Sequence, residues 1–449
     1  MIVLRNATAL SFFPPEAESG VDVVIDGALI AARGKGAGAH LKAGADAGAG
    51  SPKLIDCTGK LVMPGLVCGH NHFYSALSRG IMAKIAPAGD FVSVLANLWW
   101  RLDRAIDRDI LDASGTVAAI EAVRAGCTAV IDHHASPSFI TGSLDVLKSS
   151  LQRVGLRGVL CYETTDRNGA SGQEEGIQEN LRFALAAERE RKARGADAVL
   201  VEAMIGGHAP FTLTDSALRD LGDAVGKTGR GFHVHAAEDA FDSSFSHRSY
   251  GEDVLARLDR FGLLTEKSIV AHGLHLSAHD RELLNARGAF LAHNCRSNMN
   301  NRVGYNAHLA DVRNVVLGTD GIGSDMLEEM KFAYFKHRDA GGPLQPADFA
   351  RMLAAGNALI GRLFGGRFGE LCAGAAADCA VLSYDPPTPL AAENAAGHAM
   401  FGMGSGSVET VIVGGRIVME NRAFPFDVSG IYANAREAAA SLWARMDRL

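Results

Sequence analysis

The residues best suited to chemistry in this chain begin with Pro64-Gly65-Leu66-Val67-Cys68-Gly69-His70-Asn71-His72. The stretch reads as a short buried strand ending in His-x-His. Side chains on a strand alternate between faces, so His70 and His72 aim at one point beyond its end. Two neutral imidazoles aimed at one point suit a divalent transition metal. Taken alone, the motif is as well explained by two ordinary histidines on a strand. Three later strand ends change that balance: Phe232-His233-Val234-His235-Ala236-Ala237-Glu238, Val270-Ala271-His272 and Gly318-Thr319-Asp320-Gly321. A lone strand-end histidine is usually structural, but four histidines and an aspartate, each at a strand end, are hard to reach by accident. His233 shares a strand face with His235 one pleat deeper and reads as core.

These residues need elements to position them. Short apolar runs occur at Gly65–Cys68, Thr128–Asp132, Gly158–Tyr162, Val199–Ile205, Gly231–His235, Ser268–His272, Ala289–His293 and Val315–Thr319. Between them lie segments with helical spacing and Gly or charged ends, such as Asp109–Gly126, Glu174–Arg194, Thr214–Gly229 and Gly251–Gly262. Eight strands alternating with helices predict an α/β chain with a (β/α)₈ TIM-like barrel over residues 58–364, whose chemistry sits at the C-terminal strand ends. The rival, an open doubly wound sheet, lacks its Gly-rich loop after the first strand. Residues 1–57 and 365–449 read as short strands, among them a hairpin around Asp26-Gly27. The two ends are expected to form one small β-sandwich domain beside the barrel. Residues 33–50 read as a flexible Gly/Ala surface loop. The chain closes with a helix from about Gly430, with Ile431, Ala435, Ala438, Leu442 and Met446 on one stripe. That stripe is expected to pack on its own domain; its alternative is a contact in a homo-oligomer, a dimer being favoured.

Composition narrows the function classes. The chain has 449 residues, 47% hydrophobic and 21% charged, so a large core is within reach and disorder is not expected. A net charge of −7 with no basic block argues against a nucleic-acid partner. Cysteines 57, 68, 127, 161, 295, 372 and 379 are scattered and odd in number, which reads as reduced thiols of a cytoplasmic protein. The sequence shows no secretory signal pattern at its start and no membrane-spanning apolar run. The expected partner is a small-molecule substrate.

The pattern Pro-Gly-Leu-Val-x-x-His-x-His, then His-x-x-Glu, Ala-His-Gly and Gly-Thr-Asp-Gly resembles the amidohydrolase superfamily, in particular its cytosine deaminase-like and chlorohydrolase-like aminohydrolases. The resemblance covers nearly the whole chain. Finer stretches, such as His70-Asn71-His72-Phe73-Tyr74-Ser75 and Arg296-Ser297-Asn298-Met299-Asn300-Asn301, resemble the aminohydrolase group called SsnA. Residue by residue, the resemblance implies that His70, His72, His235 and Asp320 bind one divalent transition metal, zinc being favoured over iron. It gives Glu238 the proton-shuttle position and has His272 bond the attacking water or polarise the target. Asp320 both ligates and orients the water. Dinuclear members usually carry a carboxylated lysine at the end of strand four. The run Leu200-Val201-Glu202-Ala203-Met204-Ile205 has none, which favours a single metal. Glu163 is the reservation, because some members ligate through a strand-three glutamate. Otherwise it contacts substrate or supports its strand.

Loop residues supply further candidates. His208 matches the family's substrate-facing loop histidine. His133 and His134 follow strand two and line the pocket or back a metal ligand. Trp99 and Trp100 offer an aromatic wall for a planar heterocycle. Arg296, Asn298 and Asn301 follow strand seven, where they could recognise a carbonyl or carboxylate. The expected reaction is deamination of a purine-like or pyrimidine-like ring. The alternative is ring opening of a cyclic amide or amidine in purine catabolism. A non-catalytic subunit on a retained fold is the reading from another class, and the intact ligand set with Glu238 argues against it.

Overall fold

The structure, a computed structural model, describes residues 1–41 and 51–449. Of the loop expected over residues 33–50, residues 42–50 lie outside the described residues and residues 35–40 form turns. Of its start, Arg33 and Gly34 finish the strand Leu29–Gly34.

Two parallel sheets hold the strand ends of interest. One contains Leu66–Asn71, Cys127–His134, Arg157–Tyr162 and Val201–Ala203; the other contains Ile205–Gly207, Phe232–Ala236, Ile269–His272, Phe290–His293 and Val315–Leu317. The strand expected over Val199–Ile205 is thus divided at Met204. The Met204 N–H still bonds the Leu160 carbonyl at 3.0 Å, and Thr164 bridges to Gly207 in parallel. On the opposite side Asn71 bridges to Asp320, and the Thr319 N–H donates to the His70 carbonyl at 2.9 Å. These strands are buried on both faces, as their unbroken apolar runs require.

The helices between the strands start and stop on local chemistry. Asp107 caps Arg108–Arg124 by accepting the Ile110 N–H, and Thr214 caps Asp215–Thr228 by accepting the Ala217 N–H. Gly229 ends the latter at φ 63°, the left-handed conformation that a side chain disfavours.

Strands from both ends of the chain share one eight-stranded sheet, which includes Ile2–Phe12, Pro15–Asp26, Leu61–Pro64, Cys379–Leu382 and Val408–Val413. Ile25 pairs with Ile30 across the hairpin expected at Asp26-Gly27. Alternate residues serve two cores. Val62, Cys379, Val381 and Ile412 pack with Leu4, Val23 and Leu371, while Leu61, Met63, Ala380 and Leu382 face the large core of the parallel strands and their helices. A buried ion pair also joins the layers: Arg157 Nε donates to Asp378 Oδ2 at 2.8 Å beneath the rings of Phe364 and Phe368. All seven thiols are free.

The C-terminal helix, Val428–Met446, corrects the expected packing. It lies against Arg108–Arg124 and its neighbours, not on the terminal sheet. Arg445 Nε donates to the Ala105 carbonyl at 2.6 Å, and Trp443 Nε1 to that of Leu77 at 3.1 Å. The stripe of Ala435, Leu442 and Met446 buries in the large core beside Arg108–Arg124 instead.

Candidate active site

Three strand ends bring the expected ligands together. His72 Nε2 stands 3.1 Å from His235 Nε2 and 2.8 Å from Asp320 Oδ1, and His70 Nε2 stands 3.4 Å from the same oxygen. Donors on a tetrahedral ion with bonds of about 2.0–2.2 Å lie roughly 3.3 Å apart, which matches this spacing. The rear nitrogens are engaged separately. His72 Nδ1 donates to the His133 carbonyl at 2.6 Å and His235 Nδ1 to the His208 carbonyl at 2.8 Å. Those bonds put the proton on Nδ1 and leave a lone pair on each Nε2. Lone pairs facing at 3.1 Å, beside a carboxylate, require a positive species between them. A proton bridges two of these atoms only. His70 Nε2 is fully buried with no hydrogen-bond partner, so the set is satisfied by a divalent cation.

The electrostatics agree. Burial works against charge on His72, but Asp320 and Glu163 outweigh it and hold the imidazole well above its ordinary value. In the cation's absence a proton occupies its place, so metal uptake is coupled to proton release. Burial, assisted by like-charged neighbours, depresses His133 and His233. Asp320 and His272 adopt positive φ, 51° and 72°, a strained conformation that turns each side chain inward at its strand end.

Glu238 lies beside this cluster. Its Oε2 is 3.6 Å from His272 Nε2, and Oε1 accepts from Asn301 Nδ2 at 3.3 Å. Burial first, then the charge of Asp320, pushes its carboxyl up to about 8. His272 Nδ1 donates to Asn298 Oδ1 at 2.8 Å, which leaves Nε2 facing the site with no hydrogen-bond partner. Burial keeps His272 below its ordinary value and therefore neutral.

A cavity opens over these groups, lined by aromatic rings and a few convergent polar side chains as small-molecule sites are. His208, Trp99, Trp100 and Glu163 line it, with Phe211 and Phe241 packed edge to face at 5.5 Å. Glu163 Oε1 is 3.2 Å from His72 Nδ1, at the rear of that ring, and 3.4 Å from His133 Nδ1. Glu163, His208 and His235 also cluster as a second potential donor set. His133 is buried behind the ligands, stacked on His233 at 4.4 Å between ring centres. His233 is more than core: its Nε2 is 2.9 Å from His70 Nδ1.

Two substrate-binding expectations fail. Arg296 does not line the cavity: its Nε donates to Glu329 Oε2 at 2.6 Å, and its Nη1 pairs with Glu328. The short helix Cys295–Asn300 turns it outward to those carboxylates. Asn298 spends its carbonyl on His272 and orients that ring from behind. Sequence reasoning also missed Asp103 and Arg167, which line the cavity. Asp103 lies one helical turn after Trp100, a spacing that could have marked the two as neighbours.

Comparisons with known proteins converge on this geometry. The sequence profile of the amidohydrolase family matches residues 61–418. The chain is 28% identical over 459 residues to a 5'-deoxyadenosine deaminase of Methanosarcina mazei, covering 99% of each chain. It is 29% identical over 380 residues to a 5-methylthioadenosine/S-adenosylhomocysteine deaminase of Thermococcus onnurineus, covering 82% of this chain and 85% of the relative. The fold is similar to a zinc-bound adenosine deaminase from Xanthomonas campestris, with TM-score 0.83, 22% identity and coverage of 99% and 98%. It is also similar to the atrazine chlorohydrolase of Arthrobacter aurescens complexed with zinc, with TM-score 0.80, 20% identity and coverage of 98% and 100%. A profile match over most of the chain places this protein in the amidohydrolase family, as a hydrolase of carbon–nitrogen bonds, and a histidine-rich candidate metal site stands at its strand ends.

Proposed function

We propose that this protein is a zinc-dependent deaminase of an amino-substituted nitrogen heterocycle of nucleobase or nucleoside size. The observation that carries the reading is the convergence of His72 Nε2, His235 Nε2 and Asp320 Oδ1 beside the unpartnered His70 Nε2, with Glu238 adjacent. A divalent metal held there supplies a water acidic enough to be a nucleophile near neutral pH. The rest of the reaction belongs to the chain. Glu238 accepts a proton from the attacking water and delivers it to the leaving nitrogen, the general acid–base task. Its raised value suits a group that must both take and return a proton near neutrality. His272, neutral and held by Asn298, orients the water or the target through Nε2. Trp99, Trp100 and Phe211 flank a planar ring.

The deaminases named among the relatives support amine release over ring opening. Membership of the SsnA group and a place in purine catabolism are parts of the same proposal. So are closure of the two parallel sheets into one (β/α)₈ barrel and a terminal domain divided from it near Gly65. The test is a panel of aminopurine nucleosides, free nucleobases and pterins offered to zinc-loaded protein, with ammonia and ring absorbance followed together. Ammonia released in step with turnover, with the ring chromophore kept, is the expected result. Addition of one water without ammonia, seen by mass spectrometry, would overturn it.

A further inference from the structure

One wall of the cavity holds polar groups that the reaction does not use. Arg167 lies flat over Trp100, its guanidinium carbon 4.6 Å from the ring centre, and its Nε donates to Thr165 Oγ1 at 3.1 Å. Its Nη2 reaches Asp103 Oδ2 only to 3.5 Å, beyond good hydrogen-bond length. Among the described residues neither terminal nitrogen of Arg167 donates a hydrogen bond to another side chain or carbonyl. Asp103 is 2% exposed, and its Oδ1 has no partner; Trp100 Nε1 is likewise buried without one. Buried polar atoms left unpaired are rare and costly, so two of them, Asp103 Oδ1 and Trp100 Nε1, beside a guanidinium whose terminal nitrogens are unspent, call for a ligand. The wall adjoins the chemistry: Trp100 packs edge-on to His208, whose ring is 5.6 Å from that of His235.

The charge balance narrows the ligand. Six carboxylates, of Asp103, Glu163, Glu238, Asp239, Asp242 and Asp320, line the cavity against the single guanidinium of Arg167 among the described residues. On this wall a substituent meets one guanidinium paired with one carboxyl, so a full negative charge finds no matching cation of its own. A neutral edge carrying an acceptor beside a donor fits both partners at once. We propose that Arg167 and Asp103 form a recognition subsite for a lactam edge. A ring carbonyl accepts from the Arg167 terminal nitrogens, and the adjacent ring N–H donates to Asp103 Oδ1. This deepens the deaminase reading by making the substrate an amino-heterocycle whose far edge is a cyclic amide. It rests on that reading only in taking this cavity as the substrate site.

The test uses zinc-loaded full-length protein and ligands with no amine on a nitrogen heterocycle, so binding is measured without the proposed deamination. Hypoxanthine presents a lactam edge, 1-methylhypoxanthine keeps the carbonyl but loses the N–H, and benzamidine is a planar cation. By calorimetry, hypoxanthine should bind at least about tenfold tighter than its 1-methyl analogue, as expected for a hydrogen bond to a charged group. Asp103→Leu, similar in bulk, should abolish that preference. Arg167→Met keeps the stem over Trp100 and should weaken hypoxanthine by at least about tenfold. Equal binding of the two purines overturns the proposal. So does binding of benzamidine alone, which would make the wall a cation site, and so does absence of binding by all three ligands. Should Asp103→Leu not fold, the purine pair and Arg167→Met decide the matter. Lactam preference without ammonia release from any amino-heterocycle would sink the deaminase and leave the subsite; ammonia release without lactam preference would do the reverse.

Discussion

His233 offers the sharpest check on the reasoning about the metal cluster. In the metal-loaded chain His70 Nε2 is committed to the ion, so its proton must sit on Nδ1, where His233 Nε2 stands 2.9 Å away. His233→Leu keeps similar bulk and removes that acceptor. A buried donor left without a partner costs about 1–3 kcal/mol. The metal-free chain escapes much of this cost, because His70 can then carry its proton on Nε2 and donate toward Asp320 Oδ1, 3.4 Å away. The cost therefore falls on the loaded state. At about 1.4 kcal/mol per tenfold, zinc affinity should weaken roughly 5- to 150-fold. Competition against a chromophoric chelator reads this directly, and a thermal melt of the metal-free protein separates it from misfolding. His233→Gln returns an acceptor and should recover most of the loss. Affinity within about twofold of the parent for His233→Leu, with an unchanged melt, would refute the orienting role.

Further outcomes follow from the same geometry. Metal analysis should find about one zinc per chain, collapsing in His235→Ala; two tightly held ions would instead promote Glu163 to a ligand, through its cluster with His208 and His235. Glu238→Gln should keep the metal and the melt but lose roughly 10²–10⁴-fold in turnover, because the amide cannot carry a proton; a near-normal rate would move the shuttle to His272. Asp378→Ala should destabilise the fold by about 3–5 kcal/mol in denaturant titrations, since it strands the buried Arg157 cation between the sheets; a loss under about 1 kcal/mol would show the pair to be dispensable. Burial, against the pull of Arg167, pushes Asp103 up to about 7. A carboxyl raised on folding stabilises most below its unfolded value of about 3.9, and that contribution is lost as pH rises toward the folded value. Asp103→Asn should therefore melt higher than the parent above about pH 7 and lose the advantage near pH 4; parallel melting profiles would contradict the burial argument.

The parallel strands, the helices with their caps and the metal donors were legible because local rules carry them. Period-two alternation aims His70 and His72 together, and apolar runs bounded by helical spacing mark strands whatever the rest of the chain does. Local rules could not say which partner a side chain finds across the core. His233 looked like core by its pleat, yet it bonds His70 from a strand far away in sequence. Arg296 looked like a substrate cation by its place after strand seven, until helix Met326–Asp339 brought Glu328 and Glu329 to it. The final helix showed its apolar stripe in sequence but not the helix it covers, because a stripe specifies burial and not a neighbour. Arg167 carried no local signal of its own, and Asp103 only its spacing from Trp100. Each is an ordinary charged residue near the start of a helix, and only packing turns them onto one wall with Trp100 and leaves their hydrogen bonds unfilled. The sequence by itself determined which strand ends carry histidines and carboxylates chemically able to hold a metal and move a proton. Tertiary structure alone decided which polar groups are buried without partners, because that depends on contacts between segments that no spacing along the chain encodes.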